Sequence, residues 1–254
     1  MDTPQSHWAN LPSIGLSMRV LFTSYLLAVG VGLLLAGAQI MLTHGMADGK
    51  FGLSIDDIVY SYYGNEKSSR LETALNGTMK GKAPDDVRND IIGWARDGAP
   101  KDRWDTHFET VFSNHCTACH GKLPGIPDFN DYKQVKLVAG TDHGSSIDSL
   151  TRVSHIHVFG IGFIFFFVGL IFSLAVDIPK WLKETAIALP FVFLIIDVMS
   201  WWLTKWHPGF AWLTIIGGLG YSAASMFMWV TSIYQMWFMK KKPGRVYLNE
   251  WQYD

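Results

Sequence analysis

Four stretches of this chain are long and apolar enough to cross a lipid bilayer, and this limits its folds more than any other feature. A spanning helix needs about 20 mainly apolar residues. The candidates cover residues 20–43, 155–176, 185–204 and 210–239; the second carries no charge and the third carries one, Asp197. A segment inside lipid must satisfy its own backbone hydrogen bonds, so each stretch is expected to be a helix. The expected fold class is all-α: four transmembrane helices, with a small helical domain inserted between the first and the second.

Composition points the same way. Hydrophobic residues make up 49% of the 254 and charged residues 17%, against about 25% charged in an average soluble protein. The apolar residues gather toward both ends and leave a polar middle. The formal net charge is −1, so no basic field marks a nucleic-acid partner, and none is expected.

Lys and Arg in short flanks mark the cytoplasmic side. Arg19 precedes the first stretch, Lys180 and Lys183 separate the second from the third, and Lys240, Lys241, Lys242 and Arg245 follow the fourth. This places residues 1–44 as a cytoplasmic N-terminus with the first transmembrane helix, and 45–154 as an outer domain. Residues 155–239 follow as a three-helix membrane segment, and 240–254 as a cytoplasmic tail. Ala36-Gly37-Ala38 resembles a signal-peptide cleavage site. The long apolar run, with Arg19 the one basic residue before it, favours an uncleaved anchor.

Within the insert, residues 54–62, 84–96, 105–114 and 131–139 read as helices. Asp56, Asp57, Asp85 and Asp86 sit near the first two N-termini, where carboxylates complement the helix dipole. Gly98-Ala99-Pro100 breaks the chain before the third helix. Phe108 and Phe112 share one face of that helix. Residues 123–129 contain two prolines and read as a loop.

The third helix runs into Cys116-Thr117-Ala118-Cys119-His120, which holds both cysteines of the chain. C-x-x-C-H is the spacing of a c-type haem attachment site. Two thiols form thioethers to the porphyrin and the adjacent histidine supplies an axial nitrogen. A zinc site would need further ligands at compatible spacing, and a thioredoxin-like dithiol would need a βαβ context that this segment lacks.

A helix ending in C-x-x-C-H-G, then a Pro-rich loop and a short helix, resembles a class I-type cytochrome c domain over residues 104–139. The resemblance implies a membrane-anchored monohaem c-type cytochrome. Cys116 and Cys119 would take the thioether positions and His120 the proximal position on iron. It also implies that the insert is a cytochrome c-like domain on the periplasmic side of a bacterial inner membrane, where c-type haem is normally attached. One element of the family pattern is missing. That pattern usually has a methionine downstream as the other axial ligand, and here the next methionine after the motif is Met199, inside the third stretch.

Four of the nine histidines fall at the outer membrane face under this topology: His44, His155, His157 and His207. Polar groups at such depth mark function by default. His155, His157 or His44 is a candidate sixth ligand for haem c, or a ligand of an additional haem b between helices; His207 is a weaker candidate. His155 and His157 are two residues apart and so point about 200° apart on a helix. His155 shares a seam with Gly162 and Gly169, along which another helix or a flat macrocycle would approach. His115 and His143 are weaker still.

Asp197 needs compensation, since an aspartate in a span costs about 2.5–3.5 kcal/mol on insertion scales. A histidine, Lys205, a water cavity or a bound proton would supply it. Two readings stand beside each other: a proton acceptor for a quinol, and a structural hydrogen bond. The small residues from Gly217 to Ser225 suit close packing against a neighbour, another subunit included. Trp201, Trp202, Trp206 and Trp212 read as an interfacial aromatic belt.

The expected function is electron transfer at the outer face, between the quinol pool or a membrane redox complex and a soluble or membrane-bound electron-transfer protein. The chain would be a subunit working with other membrane redox subunits, in contact with membrane lipid. No nucleotide motif or substrate-converting centre argues for a stand-alone oxidoreductase. The alternatives are a quinol dehydrogenase in its own right with an additional haem b, and a docking subunit whose haem is a relay.

Overall fold

The computed structural model describes residues 10–43, 52–65, 67–123 and 126–239, which form helices and no strand. Among the described residues four helices have the length and composition to cross a membrane. They are α1 (Leu16–Thr43), α9 (Ile147–Ser173), α10 (Lys180–Trp206) and α11 (Ala211–Trp237). Among the described residues between α1 and α9 lie seven shorter α-helices: α2 (Ile55–Tyr62), α3 (Arg70–Asn76), α4 (Asp85–Arg96), α5 (Lys101–Arg103), α6 (Glu109–His115), α7 (Thr117–His120) and α8 (Tyr132–Ala139). The all-α class and the four candidate spans are as expected. His44 and the 240–254 tail lie outside the described residues.

By their contacts the described residues divide into two compact units. A membrane unit holds residues 10–36, 150–201 and 212–239, and an insert unit holds 37–149 and 202–211. The boundary expected at 154 falls inside a continuous helix. The reason is local: Ser146 Oγ accepts from the Ser149 N–H, so α9 is capped and starts at Ile147, well before its charge-free stretch.

In the membrane unit, four apolar helices meet through specific contacts. Trp229 of α11 donates to the Leu26 carbonyl of α1 at 2.8 Å, and the Tyr25 ring of α1 meets Phe167 of α9 edge to face. Phe165 of α9 touches both Phe191 of α10 and Tyr221 of α11. Leu26, Val168, Phe172, Ala186 and Met228 form the buried centre. The small residues of α11 are used within this chain. A Cβ on Gly217 would lie 2.7 Å from the Asp197 Cβ, and one on Gly220 would lie 2.5 Å from the Phe193 ring. The glycines therefore let α11 approach α10, so this close packing needs no second subunit.

The insert unit forms around aromatic residues. Trp94, Phe108 and Phe112 are fully buried, and Trp104 and Phe129 nearly so. Trp104, Phe108 and Phe112 are each four residues apart, and in an α-helix every such step advances about 40° around the axis. One π turn at Trp104–Phe108 widens the helix and cancels that drift, which keeps all three rings on the core. Caps set the helix starts. Ser54 and Asp57 form a reciprocal capping box at α2. Ser69 accepts from the Glu72 N–H at α3, and Asp131 from the Lys133 N–H at α8. Helix α3 was not expected from the sequence; its seven residues bury Leu71, Glu72 and Leu75.

The two ends of the insert are clasped together. Arg70 holds the Asp142 carboxylate at 2.7 Å and donates to the Gly144 carbonyl. The Ser145 N–H and hydroxyl both donate to the Ser61 carbonyl. Lys205, in the same unit, donates to the His143 carbonyl.

Candidate functional site

Helix α6 ends as Cys116 leaves helical geometry, with φ −122° and ψ −39°. The next four residues make one short turn, in which the Cys119 and His120 N–H groups both donate to the Cys116 carbonyl, at 3.2 and 3.0 Å. Cys116 is half-buried against the aromatic core, whereas Cys119 is exposed. Burial pushes the Cys116 thiol up to about 11. A redox-active dithiol needs a depressed thiol pKa, so this environment disfavours the dithiol reading.

His120 is held on two sides. Its Nδ1 lies 3.1 Å from the Pro127 carbonyl oxygen. A carbonyl only accepts, so Nδ1 carries the proton and Nε2 is left with a lone pair. The ring also stacks on Phe129, with centroids 4.0 Å apart and planes 2° apart. The loop between them is closed by the Phe129 N–H, which donates to the His120 carbonyl at 2.8 Å. A second partner that fixes tautomer and ring orientation is what a metal-ligating histidine needs. The loop expected at 123–129 thus supplies the partners of His120.

The residues present fit a covalently attached haem. There are two thiols on one turn, an adjacent imidazole whose Nε2 keeps its lone pair, and exposed apolar side chains at Leu123 and Ile126 for a macrocycle to cover. Among the described residues no group of three or more His, Cys, Asp or Glu forms a metal-ion site. A haem iron needs no such group, because the porphyrin supplies four nitrogens. A cleft of about 290 Å³ lies elsewhere in this unit, lined by Lys67, Glu72, Arg96 and Thr141 among others. It contains neither cysteine.

The remaining candidates separate clearly. His207 accepts from the Gly209 N–H through Nδ1 at 3.0 Å and caps a short 3-10 turn. Its Nδ1 is thereby occupied by a structural bond. His115 and His143 are exposed. In the membrane unit, His155 is exposed and rests on Phe159. His157 is half-buried, bonds the Val153 carbonyl through Nδ1 at 2.9 Å, and meets the Trp201 ring edge-on at 5.0 Å. The two do not converge on one site, as their spacing implied. Neither opens α9, which starts at Ile147. On the seam expected beside His155, Gly169 faces Ile187 and Gly162 faces open space.

Asp197 is 5% exposed. Its Oδ1 accepts from the Trp201 indole N–H at 3.2 Å. Ser200 donates to the Asp197 backbone carbonyl and meets Thr214 of α11 at 2.6 Å. The partner is thus Trp201, a residue whose sequence position suggests the interfacial belt. Trp201 is buried, while Trp206 and Trp212 remain exposed. The period-4 spacing of Asp197 and Trp201 was the available signal for their contact.

These features define an all-α protein with four candidate membrane-spanning helices and a C-x-x-C-H turn in a helical insert. Residues 140–243 match the model of a family, Aq_1264_TM, described as a transmembrane helical domain. No curated protein and no solved structure matches the chain.

Proposed function

We propose that this protein is a membrane-anchored monohaem c-type cytochrome that transfers electrons at the outer face of a bacterial inner membrane. The observation that carries the reading is the pair of restraints on His120, the Nδ1–Pro127 hydrogen bond and the Phe129 stack. Together they fix the ring of a histidine that shares one turn with two thiols, and leave Nε2 as its accepting nitrogen.

Each thiol would add across a vinyl group, the sulfur forming a C–S bond and the thiol hydrogen passing to the other vinyl carbon. Cys116 and Cys119 would hold the macrocycle, and His120 would supply a nitrogen to its iron. When bound, the haem supplies a one-electron couple at iron. The chain's own residues would hold it, with His120 backed by Phe129 and Phe129 by the fully buried Phe112. Electrons would come from the quinol pool or a membrane redox complex and leave to a soluble or membrane-bound partner protein. The flanking basic residues support the orientation with the insert outside.

The test is covalent haem. Protein purified from a host with a c-type maturation system should keep one haem through denaturing electrophoresis and give a c-type pyridine haemochrome. The Cys116→Ala/Cys119→Ala double variant should lose it. Wild-type protein that carries no covalent haem overturns the reading.

A further inference from the structure

The membrane unit contains a second histidine held in the same way as His120. His157 lies about 7.5 Å beyond Arg152 along α9, taking 1.5 Å per residue. It is therefore just inside the charge-free stretch. Its Nδ1 is 2.9 Å from the Val153 carbonyl oxygen, so the proton sits on Nδ1 and Nε2 has the lone pair. The ring is steadied by the edge of Trp201, at 5.0 Å and 86°. Trp201 is itself fixed by its N–H on Asp197 Oδ1, and Asp197 is locked against Gly217 of α11. Three helices thus orient one imidazole, and the residue that carries it is half-exposed at shallow membrane depth.

This arrangement selects its ligand by chemistry. A lone pair repels anions and attracts a hydrogen-bond donor. An apolar stretch admits a neutral, lipid-soluble molecule. His155 points about 200° away from His157 around the helix, so the two do not form the bis-histidine pair of a haem b. The lipid-soluble donor that suits a histidine acceptor best is a phenolic hydroxyl, which is a stronger donor than an aliphatic alcohol.

We propose that His157 Nε2 accepts a hydroxyl hydrogen bond from a lipid-soluble hydroquinone, with Trp201 and Asp197 as positioning residues. This deepens the quinol-linked part of the function proposed above and rests on that part alone.

Calorimetry tests it on the purified, dithionite-reduced full-length protein in mild detergent, with decylubiquinol as the probe. Wild type should bind saturably, and the dimethyl ether of decylubiquinol, which has no donor hydroxyl, should bind at least tenfold more weakly. His157→Phe should weaken quinol binding at least tenfold. His157→Gln, which offers an amide oxygen, should lose less, and Trp201→Phe should lose several-fold. Nitrogen-15 spectra of histidine-labelled protein should report the Nδ1–H tautomer for His157, lost selectively in Trp201→Phe if the indole orients the ring. No wild-type binding, equal binding of quinol and ether, or full binding by a folded His157→Phe protein overturns the inference. Covalent haem in a protein that fails to bind quinol would remove this inference and leave the cytochrome reading intact. Quinol binding by a protein without covalent haem would do the reverse.

Discussion

The imidazole of His120 and the ring of Phe129 lie face to face, 4.0 Å apart and 2° from parallel. The same phenylalanine meets Phe112 edge to face at 5.4 Å. The histidine of the Cys-His turn is therefore an extension of the insert's aromatic core. Whatever steadies that core also steadies His120.

Phe129→Ala should destabilise the insert by about 3–5 kcal/mol, the usual cost of truncating a buried phenylalanine. Phe129→Leu should cost less, because it keeps most of the apolar volume while removing the flat face. Chemical denaturation followed by tryptophan fluorescence from Trp94 and Trp104 reads the stability. The share of chains with covalent haem should fall in the same order, Ala below Leu below wild type.

The buried thiol gives a pH dependence to the protein before haem attachment. Burial raises the Cys116 pKa from 9.0 to about 11, so between these values the folded chain binds more protons than the unfolded one. Stability that is fully present below pH 9 is then lost as pH rises toward 11. Urea midpoints of the haem-free protein should fall across that window, and Cys116→Ala should flatten the fall. Alkylation of Cys116 by iodoacetamide in folded protein should likewise stay slow until pH approaches 11.

Much of this architecture was legible because its signals are local. The spans follow from apolar length, and α2, α4 and α8 follow from caps and first-turn carboxylates that sit beside the helices they start. What could not be read were partners brought together by packing. Nothing near His157 in the chain names Trp201, and nothing near Gly217 names Asp197. Helix α3 was missed because seven residues are too few for a periodic pattern, and its stability comes from burying Leu71 and Leu75 against α4 and α8. His157 and His207, both placed at the membrane face, differ in how their Nδ1 atoms are used, which depends on contacts that sequence position does not encode.

The clasp at the ends of the insert makes a prediction about one glycine. Gly144 has φ +65°, and a Cβ there would meet the Tyr62 carbonyl and lie 2.8 Å from the Gly64 nitrogen. The left-handed conformation alone costs an alanine about 1–2 kcal/mol, and the approaching backbone cannot move aside as a flexible side chain would. Gly144→Ala should therefore loosen the joined ends. Limited proteolysis near residues 61–70 should speed up several-fold, while the helical circular dichroism of the whole protein stays nearly unchanged.

Two neighbouring glycines of α11 separate close helix packing from mere small size. A Cβ on Gly217 would lie 2.7 Å from the Asp197 Cβ and 2.9 Å from its Cα and N. On Gly218 the nearest atom would be the Tyr221 hydroxyl, at 3.8 Å, which is ordinary contact. Gly217→Ala must push α10 and α11 apart, and overpacking of this kind costs about 1–3 kcal/mol. Gly218→Ala should be neutral or slightly stabilising, since alanine favours helix over glycine by up to about 1 kcal/mol. Reversible unfolding in mixed detergent micelles measures both. A Gly217→Ala protein as stable as Gly218→Ala would show that α10 and α11 do not meet at Asp197, and the orientation of Trp201 and His157 would lose its support.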